Sequence, residues 1–518
     1  MAKVTIHTRS KQGIIHPELH GQFLEHLGTC IDGGIWVGED SLIPNDGGLR
    51  QDVVTALARI APPLLRWPGG CFADMYHWRN GIGPRPDRPA TYNGNFGTHA
   101  VESNAFGTHE FMKLCRLIGA KPWLNVNMLT GSVAEMVEWA EYCNREDDTT
   151  LARERAAHGS PAPFDVHFWG IGNEAWAGGG FFTAEGYAAE YRKYATAFPS
   201  FEKLVFGGDM TPKKPVTLIA VGPDGNKPKE RIEWTKSLFK AFGEFRQPRL
   251  DALDLHFYNW NIQDPADTVT DFSEQDWYRV LSGAMEIESV ILQQYDLIQE
   301  GLAGYPQAEG PFANEHHCQL IIGEWGNWHQ MTAGAPSALW QQSTMRDALT
   351  SAITLDIFHR SSDKLRAACM AQTVNVLNSL ILTQGEHTIL TPHYHVFDLY
   401  QVHRGGQILK LDLTATTLAQ TVPELFSFAS EKNGLVSINL IHAQLAAEQT
   451  IELVFDQAVR FVSSRLLASD HPTDYNSVEH PNLVCIQEGP VPQGHDQTWQ
   501  VTLPAASVTV CQFQILVS

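Results

Sequence analysis

Phe168-Trp169-Gly170-Ile171-Gly172-Asn173-Glu174-Ala175-Trp176 is the stretch on which the reading of the fold turns. The apolar run from Val166 to Ile171 reads as a short buried strand. It breaks at Gly172-Asn173-Glu174, and three glycines, Gly178, Gly179 and Gly180, follow. Packing alone explains poorly a carboxylate at the C-terminal tip of a buried strand with aromatics on both sides. In a parallel α/β barrel the chemistry sits at those tips. Glu174 is therefore a candidate catalytic acid, and the rest of the chain is expected to supply its partner.

Outward from this stretch the same rhythm repeats. Apolar strand candidates lie at Leu19–Leu24, Pro63–Trp67, Pro122–Val126, Val166–Ile171, Leu204–Gly208, Ala252–Phe257, Leu320–Gly323 and Cys369–Val374. Between them run amphipathic helical patterns at Leu49–Ile60, Thr108–Ile118, Val133–Asn144, Ala184–Ala197 and Met285–Ile298. Leu49, Val53, Val54, Leu57 and Ile60, for example, recur at helical spacing. Alternating strands and helices in that number predict an α/β fold, a (β/α)8 TIM barrel, over residues 15–383. After about residue 384 helical periodicity fades. Leu435–Ile441, Gln449–Phe455, Val484–Gln487, Trp499–Leu503 and Ser507–Val517 read as strands separated by turn-rich stretches, so residues 384–518 are expected to form an all-β sandwich. The alternating N-terminal strand within residues 1–14 has no helical partner and is expected to join that sandwich.

The totals narrow the function. The chain of 518 residues carries a formal net charge of −21, which argues against nucleic acid or an anionic membrane as partner. Its eight cysteines are scattered without zinc spacing. The N-terminus lacks the apolar core of a signal peptide, and no 18-residue apolar run is present. These features predict a soluble protein of a reducing compartment, with a cytoplasmic localisation.

The strand ends collect one kind of chemistry. They carry Glu25 and His26; Arg66-Trp67-Pro68-Gly69-Gly70-Cys71; Asn125 and Asn127; Asn173 and Glu174; His256 and Tyr258; Glu324 with Trp325 and Trp328; and Gln372 with Asn375. Amides and charged groups suit sugar hydroxyls, and aromatic faces suit the apolar side of a sugar ring. Glu174 and Glu324, on the fourth and seventh strands, form the pair that glycoside hydrolysis requires. One must be a protonated acid and the other ionised, so their environments must differ. Arg66 and Tyr258 would keep Glu324 ionised if they reach it, and that negative charge would raise the pKa of Glu174. Ordinary surface ion pairs are the competing explanation for either glutamate alone.

The chain resembles the α-L-arabinofuranosidases of glycoside hydrolase family fifty-one. The resemblance is carried by His20-Gly21-Gln22-Phe23-Leu24-Glu25-His26-Leu27-Gly28, Arg66-Trp67-Pro68-Gly69-Gly70, Gly172-Asn173-Glu174, Gly323-Glu324-Trp325 and Ala371-Gln372-Thr373-Val374-Asn375-Val376, in matching order across nearly the whole barrel. It implies a retaining mechanism with Glu174 as acid/base and Glu324 as nucleophile. It further implies that Glu25, Arg66, Asn173, His256, Tyr258, Trp328 and Gln372 bind the furanose or orient the two glutamates, with Asn173 holding the 2-hydroxyl and Tyr258 positioning the nucleophile. A homo-oligomer, commonly a hexamer, is implied as well.

Two positions depart from the family pattern. Many members carry Asn where this chain has Cys71, a weaker hydrogen-bonding group that either touches the sugar or simply packs. Many also carry Trp four or five residues before the position of Glu102, where this chain has Thr98 and Gly97, so the pocket wall there must come from elsewhere, with Phe96 and Trp176 as candidates. No metal or cofactor is expected: His387, His393, His395 and the pair His316-His317 lack the spacing of a metal site and read as structural or surface residues. The expected activity is exo-acting hydrolysis of terminal non-reducing α-L-arabinofuranosyl residues from arabinan- or arabinoxylan-derived oligosaccharides. The rivals are another retaining glycosidase on the same site, a β-xylosidase or endo-glucanase, and a catalytically inactive sugar-binding protein.

Overall fold

A computed structural model describes residues 2–199, 216–245, 247–305, 317–332 and 334–516. Eight strands follow one another around a closed barrel in chain order: Gly21–Phe23, Leu64–Trp67, Lys121–Val126, Phe168–Ile171, Thr217–Asp224, Ala252–Asn261, Gln319–His329 and Leu365–Met370. They are termed strands one to eight below. Neighbours one to six whose register is defined pair in parallel, with Phe23 opposite Arg66, Arg66 opposite Trp123 and Trp123 opposite Phe168. Strands buried on both faces read as continuous apolar runs, and that is the pattern of Phe168–Ile171. The helices form for the reasons the sequence suggests. In Gln51–Ile60, Val53, Leu57 and Ile60 are buried at helical spacing. Val133–Asn144 and Ala184–Ala197 begin at Ser132 and Thr183, whose hydroxyls accept backbone N–H groups of the first turn.

Several expected elements lie elsewhere. The candidate fifth strand Leu204–Gly208 falls outside the described residues, and Thr217–Asp224 occupies the fifth place in the barrel. Strand eight runs over Leu365–Met370 rather than Cys369–Val374. The chain leaves the barrel after Met370 because it folds back on itself: Gln372 N–H donates to Val376 O, and Asn375 N–H to Ile381 O. Met285–Ile298 is the middle of a longer helix, Glu274–Ala303. A helix at Pro392–Tyr400 also interrupts the stretch expected to be all β. His393 lies in it, buried, with Nδ1 2.7 Å from Ser351 Oγ, while His316 lies outside the described residues.

The chain divides into two compact units, one of residues 21–257 and 292–324, the other of residues 1–20, 258–291 and 325–518. In the second unit ten strands hydrogen-bond side by side. Ala2–Ile14 lies among them, antiparallel to Gln407–Thr414 and parallel to Gln449–Phe455. The sheet closes over itself as a sandwich. Gln449–Phe455 and Ser507–Ile515 are far apart in strand order, yet the rings of Phe455 and Phe513 are 5.0 Å apart. Val4, Ile6, Ile438, Leu453 and Val501 fill the core between the layers.

Candidate active site

The first unit gathers Glu25, Arg66, Cys71, Asn173, Glu174, His256 and Glu324. Arg66 organises them. Its side chain is fully buried, with its guanidinium over the rings of Phe23 and Trp123 at 4.6 and 5.2 Å. From there one nitrogen donates to Glu324 Oε1 at 2.8 Å and to Gly323 O at 3.1 Å, and the other donates to Asn173 Oδ1 at 2.6 Å. A single cation from strand two thus fixes Asn173, just past the end of strand four, and Glu324, in the middle of strand seven.

Glu174 sits at φ 38°, in the left-handed region, which non-glycine residues adopt where surroundings over-determine them. Its Oε1 is 2.9 Å from His256 Nδ1, and the same nitrogen is 3.6 Å from Glu324 Oε1. One oxygen each of Glu174 and Glu324, with a His256 nitrogen, all lie within 4.8 Å of one another. Such a trio resembles a cation site, but Arg66 already supplies the counter-charge to the Glu324 oxygen.

The electrostatics separate the groups. Burial raises the pKa of Glu174, and the Glu324 charge adds to that rise, while the hydrogen bond with His256 works against it. Burial works against a charge on His256, but the carboxylates of Glu324 and Asp254 overcome it and raise its pKa to about 10. Burial pushes the Cys71 thiol far up, with the charges of Glu174 and Glu25 adding, so it stays protonated; its Sγ is 3.9 Å from Glu174 Oε2.

Around this centre the Pro-Gly-Gly turn is tied down. Glu25 Oε1 accepts the N–H groups of Gly70 and Phe72 and the side-chain amide of Asn95, at 3.2, 3.0 and 3.1 Å. Gly70 leaves a gap that a side chain would close: a Cβ there would lie 2.6 Å from Glu324 Oε1 and 3.4 Å from Asn173 Nδ2. That Nδ2 is buried without a hydrogen-bond partner, so it is a donor available to a bound hydroxyl. Of the candidates for the pocket wall, Phe96 is 51% exposed, and Trp176 is half-buried with its indole N–H donating to Gly222 O. Thr98 instead accepts Gly28 N–H on its hydroxyl oxygen at 2.9 Å.

The remaining expected site residues belong to the second unit. Tyr258 and Trp328 meet there edge to face at 5.1 Å, and Trp328 stacks on Trp260 at 4.9 Å. Gln372 is buried just past strand eight. Tyr258 and Trp328 follow His256 and Glu324 by two and four residues along strands six and seven.

Two residues of the site are not among those expected from sequence. Asp254 accepts Gly323 N–H at 2.6 Å and lies 3.2 Å from His256 Nε2. Its place two residues before His256 was the available signal. Asp74 accepts the N–H groups of Met128 and Asn173 at 2.9 and 3.1 Å, and burial raises its pKa to about 7 against those two bonds. It lies in the 3-10 turn Cys71–Met75, and no periodicity marks it.

With this geometry in place, comparisons with known proteins become informative. Residues 56–278 match the family model "Alpha-L-arabinofuranosidase 1 domain", and residues 323–507 match "Alpha-L-arabinofuranosidase C-terminal domain". The chain is 37% identical over 527 aligned positions to an intracellular exo-α-L-arabinofuranosidase of Bacteroides ovatus, covering 99% of this chain and 96% of that protein. It is 30% identical to a probable α-L-arabinofuranosidase C of Aspergillus niger, over 78% of this chain and 75% of that one. Among solved structures, the GH51 arabinofuranosidase of Xanthomonas axonopodis pv. citri superposes with a TM-score of 0.89 at 33% identity, over 99% of this chain and 100% of that one. The α-L-arabinofuranosidase of Thermotoga maritima, solved as an arabinose complex, gives 0.83 at 26% identity, again over 99% and 100%.

Proposed function

The chain belongs to the α-L-arabinofuranosidases of glycoside hydrolase family fifty-one, and from that premise we propose that Glu174 is the acid/base and Glu324 the nucleophile of a retaining, exo-acting reaction. In the first step the carboxylate of Glu324 attacks the anomeric carbon. The bond to the leaving oxygen breaks, and the Glu174 proton passes to that oxygen. In the second step Glu174 takes a proton from water, which displaces Glu324 and releases arabinose with its original configuration.

The observation that carries this reading is the separation of the two carboxylates. A Glu174 oxygen and a Glu324 oxygen lie within 4.8 Å. Retention needs carboxyl groups about 5–5.5 Å apart, whereas inversion needs about 6.5–9.5 Å to admit a water. The environments support the same division of roles. Glu324 accepts the Arg66 guanidinium, and Glu174 has its pKa raised by burial and by the Glu324 charge. Asn173, held by Arg66 through Oδ1 with Nδ2 free, is suited to the sugar 2-hydroxyl. Glu25, Cys71, His256, Tyr258, Trp328 and Gln372 complete the proposed substrate-binding set.

The substrates in this proposal are arabinan- or arabinoxylan-derived oligosaccharides with terminal non-reducing α-L-arabinofuranosyl groups, met in the cytoplasm by a homo-oligomer, a hexamer in the reading from sequence. Residues 15–383 would carry the chemistry, and residues 384–518 with the strand in 1–14 would form the accessory sandwich. Among the described residues no helix is long and apolar enough to cross a membrane.

Nitrophenyl α-L-arabinofuranoside, nitrophenyl β-xyloside and cello-oligosaccharides separate this activity from the rival glycosidases. The roles of the two glutamates are tested with azide. Glu324→Gly should be inactive and rescued by azide to give the β-azide, of inverted configuration. Glu174→Gln should lose about 10²–10⁴-fold on substrates with poor leaving groups, and azide should return the α-azide. Absence of arabinofuranoside cleavage, or azide products of the opposite configurations, would overturn the reading.

A further inference from the structure

Asp254 and His256 alternate on strand six, so both side chains leave the same face. Asp254 Oδ2 is 3.2 Å from His256 Nε2, and Asp254 Oδ1 accepts Gly323 N–H at 2.6 Å, one residue before Glu324. This approach is built into the backbone. A Cβ at Gly323 would lie 2.4 Å from both Asp254 oxygens, and a Cβ at Gly222 would lie 2.3 Å from Asp254 O. On its other side the imidazole faces two more carboxylates, with Nδ1 2.9 Å from Glu174 Oε1 and 3.6 Å from Glu324 Oε1. A ring with acceptors on both nitrogens satisfies them best when both nitrogens carry hydrogen.

Glycosylation moves charge between those two glutamates. The Glu324 electron pair becomes the bond to the anomeric carbon, the bond to the leaving oxygen breaks, and the Glu174 proton neutralises that oxygen. Negative charge therefore leaves Glu324 and arrives on Glu174. Resting on the roles given above to the two glutamates, we propose that Asp254 is a positioning residue: it holds His256 as an imidazolium with Nδ1–H toward both carboxylates, so that a fixed positive charge stands beside the negative charge at the start and at the end of the step. Preorganised charge of this kind needs no rearrangement as the barrier is crossed. The raised pKa of His256, held up by Glu324 and Asp254 against burial, agrees with this arrangement.

The titratable and charged groups facing His256 are Asp254 on its own strand, Glu174 from strand four with the Cys71 thiol behind it, Glu324 from strand seven with Arg66 behind it from strand two, and Asp224 from strand five. Of these, Asp254 bonds His256 and the Gly323 backbone, and through them its effect reaches the catalytic carboxylates. In an arabino-oligosaccharide the leaving group needs the Glu174 proton, so kcat/KM reads the step in which negative charge passes from Glu324 to Glu174, whereas the leaving group of a dinitrophenyl arabinofuranoside needs no acid.

On the oligosaccharide Asp254→Asn should lower kcat/KM roughly tenfold or more, and on the dinitrophenyl arabinofuranoside by less. It should also move the alkaline limb of the pH profile down by about one unit or more, because His256 loses the charge that holds its proton. In a His256→Gln background the same change should add less than about twofold. Asp254→Ser, which keeps a hydroxyl acceptor for Gly323 N–H, serves as the second variant if the amide disturbs folding. An alkaline limb that stays in place, or losses that simply multiply in the double variant, would overturn the proposal. The azide products of Glu324→Gly report on the glutamate roles by themselves, so a failure there is told apart from a failure of Asp254.

Discussion

Replacing Gly70 by alanine tests how closely the barrel holds Glu324, the proposed nucleophile. The new Cβ would lie 2.6 Å from Glu324 Oε1, where ordinary contact begins at 3.4 Å, so the carboxylate must retreat by about 0.8 Å. The contact with Glu324 is the cost that follows directly from this geometry. The atom that must move is the end of a flexible side chain, and the fold should accommodate it with a change in Tm of only a few degrees. Catalysis should not accommodate it. The 2.8 Å bond from Arg66 to Glu324 would stretch toward 3.6 Å or pull the guanidinium from Asn173. A misplacement of about 1 Å costs about 10²-fold in rate, so a shift of this size should cost about thirty- to hundredfold in kcat, or about 2–2.7 kcal/mol. The assay is steady-state turnover of nitrophenyl α-L-arabinofuranoside beside a thermal melt. Wild-type kcat in a folded Gly70→Ala protein would refute the inference that this contact sets the position of Glu324. A collapse of Tm with normal turnover per folded molecule would refute the division between fold and chemistry.

Two further outcomes follow from the buried titratable groups. His256 has its pKa raised to about 10 in the fold against an ordinary 6.5. Its contribution to stability is therefore fully present below about pH 6.5 and lost as pH rises through about 10. Tm should fall more steeply between pH 7 and 10 in the wild type than in His256→Gln; equal slopes would refute the linkage. Asp74 accepts backbone N–H groups from Met128 and Asn173 with its two oxygens. Asp74→Asn turns one acceptor into a donor facing a donor, at about 1–3 kcal/mol. Tm should drop and kcat should fall with it because Asn173 precedes Glu174; an unchanged melt would show that those bonds carry no weight.

The legibility of the molecule in its sequence follows a physical divide. Buried parallel strands announce themselves as short apolar runs, and a polar residue at the end of such a run has few structural reasons to be there. Glu174, Glu324, Arg66 and His256 were legible on that ground, and the structure brings those four together. Asp254 was equally available, since alternation puts it on the face of His256, but attention to strand tips passes over a residue inside the strand. Asp74 was not available, because only the 3-10 turn Cys71–Met75 aims it at Asn173. The helix Pro392–Tyr400 carried a signature, Thr391 as N-cap with proline in the first turn, too short to show periodicity. Residues 204–208, expected as the fifth strand, lie outside the described residues, and the run 217–224 that takes the fifth place in the barrel was not singled out, because an apolar run carries no mark of its place in the ring. The pairing of Ala2–Ile14 with Gln407–Thr414 joins segments about four hundred residues apart, which no window of sequence contains.

The difference between the two glutamates is a consequence of strand order. Arg66 enters from strand two and reaches both strand seven, at Glu324, and strand four, at Asn173, one residue short of Glu174. Glu174 is left with a neutral thiol on one side and His256 on the other, and His256 is shared with Glu324. One carboxylate therefore has a permanent cation bonded to it, and the other has a buried setting in which a proton is retained more readily. Exchanging their roles would require Arg66 to bond the strand-four carboxylate in place of its neighbour's amide. That would release Asn173, whose free Nδ2 faces the gap over Gly70, and so remove a hydrogen-bond donor from the space where the furanose is proposed to bind. The assignment of acid and nucleophile and the assignment of the sugar site are thus one arrangement, and a variant that disturbs Arg66 should disturb both together.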